Sequence, residues 1–104
     1  MKRIKRRYLA LQLESEQMPS EREFMDAVWA AVTKLYGEVG ASTTGLTLIN
    51  FDGEGKVFVV RCSLASLPIV RASLATITSV AGKEASVHVL AISGTLKALY
   101  AAIS

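Results

Sequence analysis

Two β-rich runs, residues 44–52 (TGLTLINFD) and 56–63 (KVFVVRCS), are separated only by Gly53-Glu54-Gly55. No other feature constrains the fold as strongly. Asp52-Gly53 is a favoured start for a tight turn, and so short a link leaves no room for a crossover. The two runs must therefore pair antiparallel as a hairpin. The GEGK inside the link is not a phosphate loop, because it lacks that spacing and joins two strands rather than a strand to a helix.

What flanks the hairpin then sets the plan. Residues 7–14 (RYLALQLE) alternate, with Leu9, Leu11 and Leu13 on one face, as a strand requires. Pro19-Ser20 opens a helix, and Ser20 with Glu23 forms a capping box. Phe24, Ala27, Val28, Ala31 and Leu35 follow at helical spacing, with Gly37 and Gly40 expected to end the run. A second stripe of Met25, Trp29, Val32 and Tyr36 widens the apolar surface beyond one packing face. Ser66 is expected to cap a second helix, with Pro68 in its first turn. Its apolar stripe is Leu67, Val70, Leu74 and Ile77, and Gly82 is expected to end it. A strand from about residue 85 to 93 and a helix over the last eleven residues complete the order β-α-β-β-α-β-α.

This is an α+β plan, the ferredoxin-like (RRM-like) sandwich with an antiparallel four-stranded sheet in the order 4-1-3-2 and a C-terminal helix. At 104 residues it is a single domain, 8–104, behind a basic N-terminal arm, 1–7. VFVV and VHVLAI are apolar at nearly every residue, which implies strands buried on both faces. Two helices cover one face, so the C-terminal helix and a partner chain are expected to cover the other. Charged residues are only 20%, below the roughly 25% usual for soluble domains, which also implies a covered surface. Met25, Trp29, Tyr36 and Phe58 are the candidate partner-interface residues.

Charge is unevenly placed. Lys2, Arg3, Lys5, Arg6 and Arg7 crowd the start, while the chain from Tyr8 onward is slightly acidic despite a net charge of +3. In the 4-1-3-2 order, the start of the first strand adjoins the ends of the third and fourth. The basic arm should then meet Arg61 and the turn Ser93-Gly94-Thr95, with Lys97 just beyond. Cations and short hydroxyl donors at a helix N-terminus form an edge suited to phosphate. The plainer alternative is that Ser93 or Thr95 only caps the last helix while Gly94 supplies a positive φ.

Other chemistries find little support. Cys62 lies in an apolar run, where a free thiol is a small hydrophobe, and the lone His88 is its one possible base. A single cysteine excludes an internal disulfide and suits a reducing compartment. His88 has no second metal ligand at a useful spacing. Glu14, Glu16, Glu21, Glu23 and Asp26 suit the start of a helix and could face a basic partner. Base stacking of the RNA-recognition kind needs aromatic residues on the third strand, and only Phe58 is there. No run approaches a membrane span and no secretory leader is evident, so a cytoplasmic protein is expected.

The ordered set Arg61-Cys62, Arg71-Ala72-Ser73-Leu74 and Ser93-Gly94-Thr95-Leu96-Lys97 resembles the ribonuclease P protein component 2 family, of archaeal and eukaryotic type. RRYLALQL resembles that family's opening Arg-Tyr strand, and LTLINFD its second strand. The resemblance implies an archaeal-type subunit of a ribonucleoprotein endonuclease, in which the RNA removes the 5′ leader of precursor tRNA. This chain would not be catalytic by itself and would carry no cofactor, with Mg²⁺ serving the RNA-containing holoenzyme. Its implied partners are ribonuclease P RNA, precursor tRNA, protein component 3, and a second copy within a heterotetramer. Lys2, Arg3, Lys5, Arg6, Arg7, Arg61, Ser93, Gly94, Thr95 and Lys97 are the candidate RNA-binding residues. Some members end in a basic tail, whereas this chain ends ALYAAIS, and the N-terminal arm is expected to compensate.

Two rivals share the plan. An acylphosphatase-like hydrolase needs a glycine-rich, arginine-bearing loop after the first strand, and ESEQMPSE has neither. A small-molecule-sensing or interaction domain would not explain the basic arm.

Overall fold

The alternation at the start of the chain becomes strand β1 (Arg6–Ser15) in a computed structural model that describes residues 5–103. Leu9, Leu11 and Leu13 are buried on one face of β1, and Ala10 is buried on the other. The expected capping box then opens α1 (Glu21–Ser42). The Glu23 amide donates to Ser20 Oγ at 3.1 Å, and the Ser20 amide donates to Glu23 Oε1 at 2.9 Å. Gly37 breaks the helix with φ 77°, but Gly40 does not end it: a further turn runs to the cap at Thr43. That turn buries Ala41, and the Thr44 hydroxyl donates to the Ala41 carbonyl at 2.8 Å, which fixes the new direction.

The hairpin follows as expected. β2 (Thr47–Asp52) and β3 (Val57–Ser63) pair antiparallel, and the Glu54 amide donates to Asp52 Oδ1 at 3.1 Å inside the turn. α2 (Leu67–Ala75) has Pro68 in its first turn, but Ser66 makes no side-chain cap. Its hydroxyl instead reaches the Thr43 carbonyl at 3.4 Å.

Here the sequence expectation needs correction. α2 ends at Thr76, whose amide and hydroxyl both turn back to Ser73. Gly82 ends no helix. It lies with Ala81 in a two-residue turn, both at positive φ, between β4 (Ser79–Val80) and β5 (Lys83–Ser93). Two consecutive left-handed residues are what a type I′ hairpin uses. Among the described residues the antiparallel sheet consequently has five strands, not four, in the order β2-β3-β1-β5-β4. The expected 4-1-3-2 neighbours survive inside it, with β4 added at the edge. α3 (Leu96–Ile103) closes the chain.

The helices cover the sheet unequally. α1 and α2 bury Phe24, Val28, Val32, Val70 and Leu74 against Leu9, Leu11, Val60 and Cys62. α3 covers the opposite face with a smaller cluster, in which Leu99 is wholly buried over Ala10 and Val59. β3 is buried on both faces as its sequence implied. β5 is not, because His88, Val89 and Leu90 are exposed. Two causes combine there. The β4 ladder stops at Glu84, so nothing among the described residues pairs with the outer edge beyond Ala85. A bulge between Ala10 and Leu11 also leaves Leu90 without an opposite residue.

Phe58 is corrected too. It lies on the α1 face, opposite Leu11, fully buried and sandwiched between Phe24 at 3.9 Å and Phe51 at 4.3 Å between ring centres. It therefore has no surface to offer a partner. Met25 and Trp29 are half-buried against the same core, and Tyr36 is exposed.

Candidate functional site

Antiparallel register brings the expected residues to one end of the sheet. Arg6 lies opposite Ser63, Arg7 opposite Cys62 and Tyr8 opposite Arg61. On its other side, Tyr8 lies opposite Ser93, and Thr47 lies opposite Arg61. Directly opposed residues share a face, so Thr47, Arg61, Tyr8 and Ser93 form one row across four strands. The row is on the α3 side, because Tyr8 packs with Ala10 against Leu99. Arg6 and Arg7, the last residues of the basic arm, are the first two of β1. The Lys5 carbonyl accepts from the Leu64 amide at 2.8 Å, tying the arm's exit to the end of β3. Lys2 and Arg3 lie outside the described residues.

The Ser93-Gly94-Thr95 turn does local work of its own. Thr95 caps α3, accepting from the Ala98 amide at 3.2 Å on its hydroxyl, while Ser93 Oγ accepts from the Thr95 amide at 3.4 Å. The capping alternative is thus present, and both hydroxyls still have a proton to donate. Gly94 does not have a positive φ. The Arg7 head lies against the turn, and a Cβ at position 94 would begin 3.4 Å from Arg7 Nη1, an ordinary contact. Arg7 also donates to the Arg6 carbonyl at 2.9 Å.

Electrostatically, this end is not neutralised. Among the described residues, Lys5, Arg6, Arg7, Arg61 and Lys97 have no carboxylate within ion-pair distance. The contacts of this kind among the described residues are the Arg22–Asp26 ion pair at 4.0 Å and His88 Nε2 at 3.4 Å from Glu14 Oε2, both elsewhere. Arg61 Nε is buried and has no hydrogen-bond partner. Acidic residues gather at the opposite end. Glu14 closes β1, Asp52 and Glu54 bracket the β2–β3 turn, Glu84 starts β5, and Glu21 and Glu23 stand in the first turn of α1. Lys56 and Lys83 also stand at that end, beside the carboxylates, whereas the Arg61 end gathers cations without them.

The remaining candidates separate. Cys62 is buried on the α1 face, and burial pushes its thiol up to about 11 from an ordinary 9.0, so it is no nucleophile near neutral pH. His88 is opposite Gln12 in the other half of the sheet, far along the strands from Cys62. No three of His, Cys, Asp and Glu come together to hold a metal ion among the described residues. Tyr8 converges on this edge with Arg6 and Arg7 as strand order implies, but it is not among the candidate binding residues. Its signal was the alternation itself, since a strand that buries Leu9 on one face presents Tyr8 on the other.

Fold and edge together define a small α+β domain with an unneutralised cationic end, framed by a short helix. The chain belongs to the Rpp14/Pop5 family, whose model matches residues 7–104. It is 38% identical over 96 residues to ribonuclease P protein component 2 of Methanosarcina mazei, covering 91% of this chain and 80% of that one. The same protein of Pyrococcus furiosus is 33% identical over 97 residues, covering 93% and 81%. In structure, the chain matches one in a cryo-EM structure of yeast ribonuclease MRP, with a TM-score of 0.74 over 92% of this chain and 79% of that one. At 17% identity, that match speaks to the fold.

Proposed function

We propose that the chain is a protein subunit of ribonuclease P that supports RNA-catalysed removal of the 5′ leader from precursor tRNA. It does so by contacting RNA through the Arg61 end and by binding a partner protein. The observation that carries this reading is the set of cations without carboxylate partners, in a chain of this family. The chain supplies positive charge and position, while catalysis and its Mg²⁺ belong to the RNA. We read the β1-α1-β2-β3-α2-β5 core as the ferredoxin-like plan with β4 added at its edge, and the protein as cytoplasmic. No described helix is long and apolar enough to cross a membrane.

Besides Tyr100 on α3, the exposed large apolar residues among those described fall in two places, Leu35, Tyr36 and Val39 late in α1, and Val89 and Leu90 on the open edge of β5. These are the surfaces we assign to protein component 3 and to a second copy in a heterotetramer. The deciding experiment is reconstitution of precursor-tRNA cleavage under limiting Mg²⁺, with and without this chain. Cleavage that depends on the chain supports the reading, and cleavage indifferent to it overturns the reading.

A further inference from the structure

We infer that Tyr8 is a nucleobase platform, so that the cationic end takes an unpaired nucleotide in preference to duplex RNA. The inference rests on the RNA-binding reading and deepens it. Tyr8 stands between Arg61 and Ser93 in the cross-strand row. Its ring is half-buried, anchored on the Ala10–Val59–Leu99 cluster, and its hydroxyl has no protein partner among the described residues. One flank carries Arg61, whose Nε has no acceptor. The other carries Ser93 and the first turn of α3, with Lys97 on it.

Two strand spacings separate Arg61 from Ser93, about 10 Å, which is room for one nucleotide with its base on the ring between them. Phosphate contact alone would need the cations and no aromatic. An aromatic ring set among cations is the arrangement that holds unpaired bases, because every base offers a π-face while the phosphates meet the charges. A duplex keeps those faces inside its stack. α3 also rises beside the row as a wall, so the half-buried ring sits on a ledge rather than on an open sheet. The platform lies on β1, not on β3 where the sequence reading looked for it. Phe58 on β3 faces the other way.

The test uses the full chain and two labelled probes with the same number of phosphates, a short oligouridine and a hairpin duplex, read by fluorescence anisotropy. Wild type is expected to favour the oligouridine. Tyr8→Leu is expected to weaken oligouridine binding about tenfold or more while leaving the duplex unchanged. Tyr8→Phe is expected to keep the preference, which also controls for folding. Tyr8→Leu binding both probes like wild type, or losing both alike, overturns the platform. Equal wild-type affinity for the two probes overturns it too, while leaving the cationic edge standing. Wild type that binds neither probe would remove the RNA-binding reading itself.

Discussion

Substituting Arg61 by Gln tests whether the row meets phosphate at all. Lys5, Arg6, Arg7, Arg61 and Lys97 have no carboxylate partner among the described residues. Each is therefore free to displace a counterion. A cation engaging a single strand contributes about −0.7 to the slope of log affinity against log salt, so the five together give a slope of about −3.5. That corresponds to an affinity falling roughly a hundredfold between about 50 and about 200 mM salt. Arg61→Gln should flatten the slope to about −2.8 and weaken binding most at low salt.

Folding should not suffer in the same measure. Arg61 Nε is buried without an acceptor, an arrangement that costs about 1–3 kcal/mol where it occurs. Its removal should leave the unfolding midpoint in urea near or above that of wild type. The assay is anisotropy of a labelled single strand titrated at several salt concentrations, alongside urea unfolding of the same samples. A variant that keeps the wild-type slope would refute the phosphate role of Arg61. A wild-type slope shallower than about −1 would refute the argument for the whole edge, because it leaves room for barely one engaged phosphate.

Other expectations concern the scaffold. Phe58→Ala should cost about 4 kcal/mol in urea unfolding, because the ring is wholly buried between Phe24 and Phe51. Loss of partner affinity at unchanged stability would contradict the core assignment. Cys62 should resist iodoacetamide near neutral pH in the folded chain and react on unfolding, since burial holds its thiol protonated up to about 11. The folded thiol keeps its proton where the unfolded one, near 9.0, loses it. Stability should therefore be level below about pH 9 and fall as pH rises towards 11, and Cys62→Ala should remove that fall. Ser20→Ala should cost about 1 kcal/mol, because it removes the acceptor for the Glu23 amide.

Much of the fold was legible because its determinants are local. The capping box at Ser20, the hairpin after Asp52 and the alternation of Leu9, Leu11 and Leu13 need only neighbouring residues, and each formed as read. The convergence of Arg6, Arg7 and Tyr8 on Arg61 and Ser93 followed from strand order alone. What escaped depended on parity and context. β4 is two residues long, too short to show alternation, and a glycine after an apolar helical stripe looks the same whether it ends a helix or makes a type I′ turn. In α1, Gly37 does leave helical geometry, but the burial of Ala41 recruits another turn beyond it, a tertiary effect. A strand as uniformly apolar as VFVV does not declare its faces, so Phe58 could be placed only once Leu11 was seen opposite it.

On the proposed function, the cationic end and the open β5 edge give this small chain separate surfaces for RNA and for protein. Antiparallel pairing converts distant sequence positions into a shared end, so the early arginines join Arg61 while Glu14, Asp52 and Glu84 collect at the other. The open edge of β5 follows a different logic. From residue 85 to 93 it carries no Asp, Glu, Lys or Arg, whereas exposed strand edges are ordinarily protected by charge. A strand left open and uncharged, with Val89 and Leu90 exposed beside it, is suited to pairing with a further strand. That edge meets the cationic row at Ser93 alone. A protein strand laid along it would leave Tyr8, Arg61 and the arm uncovered, so on the proposed function RNA and a protein partner would not compete for the same residues.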